Sequence, residues 1–222
     1  MSITSLIFIF SSSFMTLFPV NNPIGTGFIV NGYFAGLTSE QRSIAIKRLI
    51  INYIIIGVGT VAIGHLFLIL FGLAIPVIQL GGGFLICRAA LGLLSDGSSA
   101  DNTSNAVPTA NWEELQGKIF YPIVFPISVG PGSISVIFTL MANASVKNNF
   151  LQTGVNYLAI ALVIFCLAGL LYLFLTQGEV IVKKLGTKGN MVINKLVAFF
   201  TFCIGIQIMV EGISKIFHLS IL

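Results

Sequence analysis

Two short stretches decide how this chain is organised: residues 18–25 read FPVNNPIG, and residues 125–132 read FPISVGPG. Each places a Phe-Pro pair, a second proline and a glycine inside a long apolar run. A proline inside a helix lacks a hydrogen-bond donor and clashes with the preceding turn, whereas the first position of a helix tolerates it well. Both stretches therefore predict a break, at which one helix ends and another begins.

The sequence around these stretches has the composition of an integral membrane protein. Hydrophobic residues make up 56% of the 222 residues and charged residues 8%, with a mean hydropathy of +1.01. A soluble domain carries roughly 25% charged residues, so we expect an all-α protein embedded in the lipid bilayer. The net charge of +4 does not indicate a nucleic-acid partner, because the basic residues stand at the ends of apolar runs.

Six apolar stretches are long enough to cross a bilayer as helices, which takes roughly 20 residues each. They cover about residues 3–35, 48–73, 76–94, 118–142, 154–175 and 192–217. The first would reach about 50 Å as a straight helix, against a hydrocarbon core of about 30 Å, so we expect it to break at NNPIG. It also lacks the basic start and cleavage site of a signal peptide, which indicates a retained span.

The basic residues predict which loops face the cytoplasm. Loops 36–48, 95–118 and 176–195 together hold eight of the eleven lysines and arginines, whereas the opposite side holds Lys147 and Lys215. The positive-inside rule then places these three loops in the cytoplasm and both termini outside.

A polar segment at residues 96–117, rich in Ser, Asn, Asp and Gly, divides the chain into residues 1–95 and 118–222. Such a composition predicts a flexible linker. Each flanking half carries three spans, and an odd number means that the second half enters the membrane from the opposite face. We therefore expect two inverted three-helix repeats within one membrane domain, the first helix of each being broken at its Pro/Gly stretch.

The two breaks predict a binding site. Asn22-Pro23 has the pattern of a helix N-cap followed by the first helical residue, and Gly130-Pro131 is similar. Two half-helix N-termini meeting near the bilayer midplane favour a carboxylate or another anion, and non-helical backbone at that depth occurs only inside protein or along a wet cavity. The alternative is that proline and glycine merely kink these helices. The candidate substrate-binding residues are Asn21, Asn22, Pro23, Gly25, Ser128, Gly130, Pro131, Gly132 and Ser133.

Four polar residues within the spans are candidates for a proton or charge relay: His65, Arg88, Gln207 and Glu211. Ionisable groups are costly inside a bilayer and often functional. His65 and Glu211 are predicted at similar depth and could exchange a proton. In the alternative, Glu211 reaches interfacial water, Arg88 snorkels, His65 bonds a backbone carbonyl, and Gln207 joins helices. The three cysteines lack ligand spacing, so we expect neither a metal nor another cofactor.

Longer segments of the chain resemble one known family. LFPVNNPIG (17–25), QLGGGFLI (79–86), FYPIVFPISVGPGSISVI (120–137) and KLGTKGNMVINKLVAFFTFCIGIQIMVEGI (184–213) are similar to the MarC family of bacterial inner-membrane proteins. The resemblance covers nearly all of the chain except residues 95–116. It implies a six-span inner-membrane protein within a superfamily that includes LysE-like exporters, and it supplies no substrate.

Together these features predict a secondary transporter or exporter of a small, carboxylate-bearing solute, working by alternating access. A passive channel or a membrane scaffold is the alternative. We do not expect an enzyme: an intramembrane hydrolase using Ser133 and His65 is disfavoured, because GPGS at 130–133 is not a nucleophile elbow. The glycine run at 81–83 allows close helix packing, either within one chain or between the subunits of a homo-oligomer.

Overall fold

The computed structural model describes residues 3–34, 36–70, 74–95, 112–146 and 149–217, which are helical almost throughout and contain no strand. The elements are α1 (Ile3–Asn21), α2 (Pro23–Tyr33), α3 (Ser39–Leu70), α4 (Ile75–Ser95), α5 (Trp112–Lys118), a π-helical segment (Ile119–Ser128), α6 (Pro131–Ala144) and α7 (Phe150–Phe217). The prediction of an all-α protein is confirmed.

Four helical stretches are long and apolar enough to cross a membrane: Thr4–Asn21, Ser39–Gly64, Phe150–Gln177 and Lys195–Phe217. A bent pair, Trp112–Ser128 with Pro131–Ala144, makes a fifth candidate, and a shorter apolar stretch lies in α4. Large apolar side chains point outward from these helices; Phe8 is 72% exposed and Leu158 68%. Such an apolar exterior is suited to lipid.

Both predicted breaks are present. The first apolar run is interrupted at Asn22, where α1 ends and α2 begins at Pro23. The second is interrupted at Val129 and Gly130, and the two helical parts there are bent by 56°. Within the π-helical segment, Tyr121 and Phe125 have extended backbone angles, as expected for residues that precede a proline.

Helix α7 folds back on itself, although every residue of its 68 is helical. Near its start, Asn156 donates a hydrogen bond to the Ala144 carbonyl at 2.7 Å. Near its end, Lys215 donates to Oδ1 of Asn143 at 3.1 Å. A straight helix would hold residues 156 and 215 about 90 Å apart, so α7 consists of two arms, one before and one after a reversal between Leu175 and Thr201.

The structure refines two of the predicted loops. Residues 176–195 connect the candidate spans Phe150–Gln177 and Lys195–Phe217, as predicted, although their backbone is assigned to helix α7. Most of 36–48 belongs to α3, which begins at Ser39 and carries Arg42, Lys47 and Arg48. The start is fixed by a reciprocal cap, in which Gln41 N–H donates to Thr38 Oγ1 at 3.3 Å and Thr38 N–H donates to Gln41 Oε1 at 3.1 Å. This is the capping-box pattern.

The predicted linker at 96–117 is also shorter than expected at its C-terminal end. Residues 96–111 lie outside the described residues, whereas 112–117 form most of α5. Leu115 is fully buried there, and Trp112 packs against the same core. The acidic Glu113 and Glu114 in its first turn suit the positive end of the helix.

The C-terminal end of α2 is anchored by hydrogen bonds to two other helices. Arg42 on α3 donates from Nη2 to Asn31 Oδ1 at 2.8 Å and to the Leu175 carbonyl at 3.1 Å. Asn31 donates in turn to the Phe174 carbonyl at 3.2 Å. These bonds fix α2 against the first arm of α7 and thereby position the break at its other end.

Candidate functional site

The first break is capped by one of its own residues, Asn22. Asn22 has φ of +40°, a left-handed conformation that asparagine tolerates better than most residues. Its Oδ1 accepts a hydrogen bond from the Gly25 N–H at 2.9 Å, and Pro23 is the first residue of α2. The predicted arrangement of an asparagine N-cap followed by proline is confirmed. Gly25 must remain without a side chain, because a Cβ there would collide with the Asn22 carboxamide.

A distant residue completes the first break. Pro23 has no N–H, so the carbonyl four residues earlier, that of Pro19, receives no helical hydrogen bond. The hydroxyl of Thr201, on the second arm of α7, is buried and lies 2.8 Å from this carbonyl and 2.8 Å from the Val197 carbonyl one turn earlier, so its single proton is shared between the two acceptors. Sequence reasoning missed Thr201, because a threonine in an apolar span carries no local sign of a partner 182 positions away.

The second break is built differently. Gly130 is the N-cap residue of α6 and has an extended backbone, with Pro131 next to it and no side chain capping the helix. Just before it, the buried Ser128 donates its hydroxyl to the Ile123 carbonyl at 2.7 Å. Helix N-termini leave their first N–H groups without intrahelical partners. At this break the N-cap residue Gly130 makes no side-chain hydrogen bond to them.

The two breaks line one cavity of about 390 Å³. The structure brings together seven of the nine predicted binding residues in its wall: Asn21, Asn22, Ser128, Gly130, Pro131, Gly132 and Ser133. Pro23 and Gly25 are not in the lining; they shape the first turn of α2 behind it. The remaining lining residues are mostly apolar, with Thr26 and Thr201 as the polar exceptions: Val20, Thr26, Ile29, Leu85, Ile86, Pro126, Ile127 and Thr201.

Asn21 contributes an unpaired acceptor to this wall. It is 7% exposed, and its Nδ2 donates to the hydroxyl of Tyr53 at 3.0 Å. Its Oδ1 is buried and accepts no hydrogen bond from any described residue. A buried polar atom without a partner costs about 1–3 kcal/mol. Tyr53, which is 3% exposed, also went unnoticed in the sequence, where it lies in the next span.

The electrostatic character of the cavity comes from backbone rather than from charged side chains. None of the described residues that line it is ionisable. The N-terminus of a helix carries roughly half a positive charge, and two such ends reach this wall. Gly25 and Thr26 of α2 already donate to Asn22, through its Oδ1 and its backbone carbonyl, whereas the N-cap residue Gly130 offers no side-chain acceptor to the first N–H groups of α6, at Gly132 and Ser133.

Of the four predicted relay residues, Gln207 and Glu211 lie together, and Arg88 lies elsewhere. Gln207 and Glu211 line a second cavity of about 230 Å³, together with Thr16, Thr139 and Asn143 among others. Arg88 is exposed on α4 and is not among the described residues of either wall. The side chain of His65 lies outside the described part of the structure, so its predicted proximity to Glu211 stays a prediction.

These features define the class: an integral membrane protein with several membrane-spanning helices and an interior cavity bounded by two helix breaks. A family model described as "MarC family integral membrane protein" matches residues 7–217. The chain therefore belongs to the MarC family, as its resemblance implied, and is a multi-pass inner-membrane protein.

Individual relatives agree with this assignment. The chain is 25% identical, over 209 residues, to "UPF0056 inner membrane protein MarC" of Escherichia coli strain K12. The protein of that name from Shigella flexneri gives the same identity. Both alignments cover 91% of this chain and 92% of the relative. No solved structure matches the chain.

Proposed function

We propose that this protein is a secondary transporter or exporter of a small, carboxylate-bearing solute, and that the cavity between the two breaks is its binding site. The observation that carries this proposal is the uncapped N-terminus of α6, which opens on that cavity. Free N–H groups at a helix start form a ready anion site, and low-dielectric surroundings strengthen the attraction.

The shape of the solute follows from the rest of the wall. Its carboxylate would accept from the N–H groups of Gly132 and Ser133, while its apolar part would contact Ile29, Leu85 and Ile86. On the opposite side, a turn of the Asn21 carboxamide toward the cavity would offer Oδ1 to an N–H or O–H of the solute. We therefore expect acids that also carry such a donor to bind better than acids that lack one.

The transport mechanism that we propose is alternating access between two inverted halves. Six spans result if six units each cross the membrane once. These units are the pair α1 and α2, helix α3, helix α4, the pair α5 and α6, and the two arms of α7. The matching breaks in the first span of each half support this arrangement. Within it, both termini would lie outside, as the distribution of basic residues predicts. The function that we propose includes no catalytic step.

The test is ligand-induced thermal stabilisation of the detergent-purified protein, using glycolate and acetate as a matched pair that differs by one hydroxyl. A ligand that binds only the folded state raises Tm. We expect both acids to raise it, and glycolate to raise it more at equal concentration. Gly130→Asp should abolish both effects, because the new carboxylate would accept from the N–H groups at the start of α6 and would repel the carboxylate of the acid. The control is Gly154→Asp, at an exposed position with open space around it.

Two results would count against the proposal. One is a Gly130→Asp variant that responds to the acids as wild type does. The other is the absence of stabilisation by any small carboxylate at concentrations well above a transporter's usual Kd. Uptake into proteoliposomes then separates the remaining readings: saturable flux supports a transporter, linear flux a channel, and no flux a scaffold.

A further inference from the structure

A third cavity, of about 200 Å³, lies between the start of α3 and the end of the first arm of α7. Its wall is formed by Ser39, Arg42, Ser43, Ile46, Tyr172 and Thr176. Ser39 is the first residue of the candidate span Ser39–Gly64, and Thr176 is the last residue but one of the candidate span Phe150–Gln177. The cavity therefore lies where two membrane-spanning helices end together, at the depth of the lipid headgroups.

The wall of this cavity carries one basic side chain and no acidic one. Arg42 is half-buried, and its Nη2 donates to Asn31 Oδ1 at 2.8 Å and to the Leu175 carbonyl at 3.1 Å. A guanidinium that is already fixed in this way loses little further freedom when it binds a ligand. Its planar array of N–H groups suits phosphate oxygens in particular. The charge of the wall thus favours an anion.

Hydroxyl groups make up the rest of the polar surface of the cavity. Those of Ser39, Ser43 and Tyr172 form no hydrogen bond with another described residue, whereas Thr176 donates to the Tyr172 carbonyl at 2.9 Å. Hydrogen bonds to an ionised acceptor are stronger than those between neutral groups. One guanidinium and three hydroxyl donors together match a phosphate group, which accepts at several oxygens.

The helices on either side of this cavity present apolar side chains to the lipid. They lie side by side, since a Cβ at Gly57 of α3 would collide with the Ile164 side chain of α7. Farther into the two spans, Ile51 is 56% exposed and Phe165 51%. At the rim of the cavity Tyr172 is 44% exposed, and tyrosine is enriched where membrane helices meet the headgroups. A ligand that joins a phosphate to acyl chains fits both parts of this surface.

We propose that this cavity binds the phosphate of an anionic phospholipid, whose acyl chains lie along α3 and the first arm of α7. Basic pockets between membrane helices bind such headgroups. Lys47 and Arg48, both exposed on α3, add positive charge nearby, against one acidic residue, Glu40. Because Arg42 joins α2, α3 and α7, a lipid bound to it should stabilise the packing of these three helices. This lipid site does not rest on the proposed transport function.

Thermal unfolding of the delipidated, detergent-purified protein tests the site with three additions: a phosphatidylglycerol, a phosphatidylcholine with the same acyl chains, and inorganic phosphate. A ligand that binds only the folded state raises Tm. Phosphatidylglycerol should raise Tm by several degrees more than phosphatidylcholine does. Phosphate alone should have little effect, because it lacks the acyl chains. Native mass spectrometry should detect one retained phosphatidylglycerol per chain.

Two variants place a carboxylate in the cavity without removing Arg42. Ser43→Asp and Ser39→Asp should each abolish the difference between the two lipids, because the carboxylate competes for the guanidinium and repels the phosphate. Both positions are exposed, and an acidic side chain near a helix start is stabilising, so both variants should fold. The control is Asn149→Asp, which adds the same charge just before α7, at the far end of its first arm, and still accepts from the Gln152 N–H.

Three results would overturn the proposal. The first is equal stabilisation by the two lipids, and the second is a difference between them that survives in both cavity variants or disappears equally in Asn149→Asp. The third is a Tm shift from inorganic phosphate as large as that from phosphatidylglycerol, which would identify the ligand as a free anion. None of these measurements uses a transported solute, so their failure is distinct from a failure of the transport function.

Discussion

The two breaks have nearly the same sequence pattern but different chemistry. At the first, Asn22 adopts φ of +40° and caps α2 with its own side chain. At the second, Gly130 has no side chain, and α6 begins uncapped. The first break therefore has a side-chain cap from the protein itself, and the Asn21 Oδ1 beside it accepts no hydrogen bond from any described residue. The second leaves the first N–H groups of α6, beside the cavity, without a side-chain cap, and in our proposal this is the break that binds the solute.

The largest effect is expected from removing the cap of the first break. Asn22→Ala loses a capping hydrogen bond, about 1 kcal/mol, and places alanine in a left-handed conformation, about 1–2 kcal/mol more. Asn22→Gly keeps the conformation accessible and should cost less than half as much. Equilibrium unfolding in mixed detergent measures both. Equal losses in the two variants would show that the backbone angle at Asn22 contributes nothing.

A somewhat smaller effect is expected at the second break, which depends on packing rather than on a cap. A Cβ at Gly82 of α4 would collide with the Cβ and Oγ of Ser135 on α6. Gly82→Ala should therefore destabilise by about 2 kcal/mol, as overpacking does. The neighbouring Gly81 faces open space, so Gly81→Ala should be neutral or slightly stabilising. If the two variants have the same Tm, packing against α4 does not hold α6 in place.

The smallest effect concerns the carbonyl freed by Pro23. Thr201→Val keeps the shape of the side chain but removes the hydroxyl whose proton the carbonyls of Pro19 and Val197 share, which should cost up to about 1 kcal/mol. Thr176 is the control, because its exposed hydroxyl donates only within its own helix, and Thr176→Val should change Tm little. A Thr201→Val variant as stable as wild type would mean that water reaches the Pro19 carbonyl.

The local features of this fold could be predicted from single residues. Proline without an N–H, glycine, and an asparagine before a proline give both breaks and the cap on α2. The capping box at Thr38 and Gln41 is also a local pattern, and it could have predicted the early start of α3. The helical backbone of residues 176–195 could not be predicted in this way, because the glycines and lysines there are typical of a loop.

The partners of the site residues could not be predicted, because they come from distant parts of the chain. Thr201 satisfies Pro19, Tyr53 holds Asn21, and Gln79 contacts Glu211 across 132 positions. Nothing in the neighbouring sequence of Gln79 or Thr201 marks either residue as buried or paired. Each pairing exists because helices from both halves pack together and exclude water, so that a polar atom must find its partner there.

The amino-acid sequence is sufficient to predict a membrane protein with two broken helices, since apolar content and the missing proline donors act locally. That the two breaks line one cavity, beside which α6 begins without a side-chain cap, follows from the tertiary structure alone. The reason is physical: a cap is a contact within four residues, whereas a cavity is a relation between helices that the chain brings together from both halves.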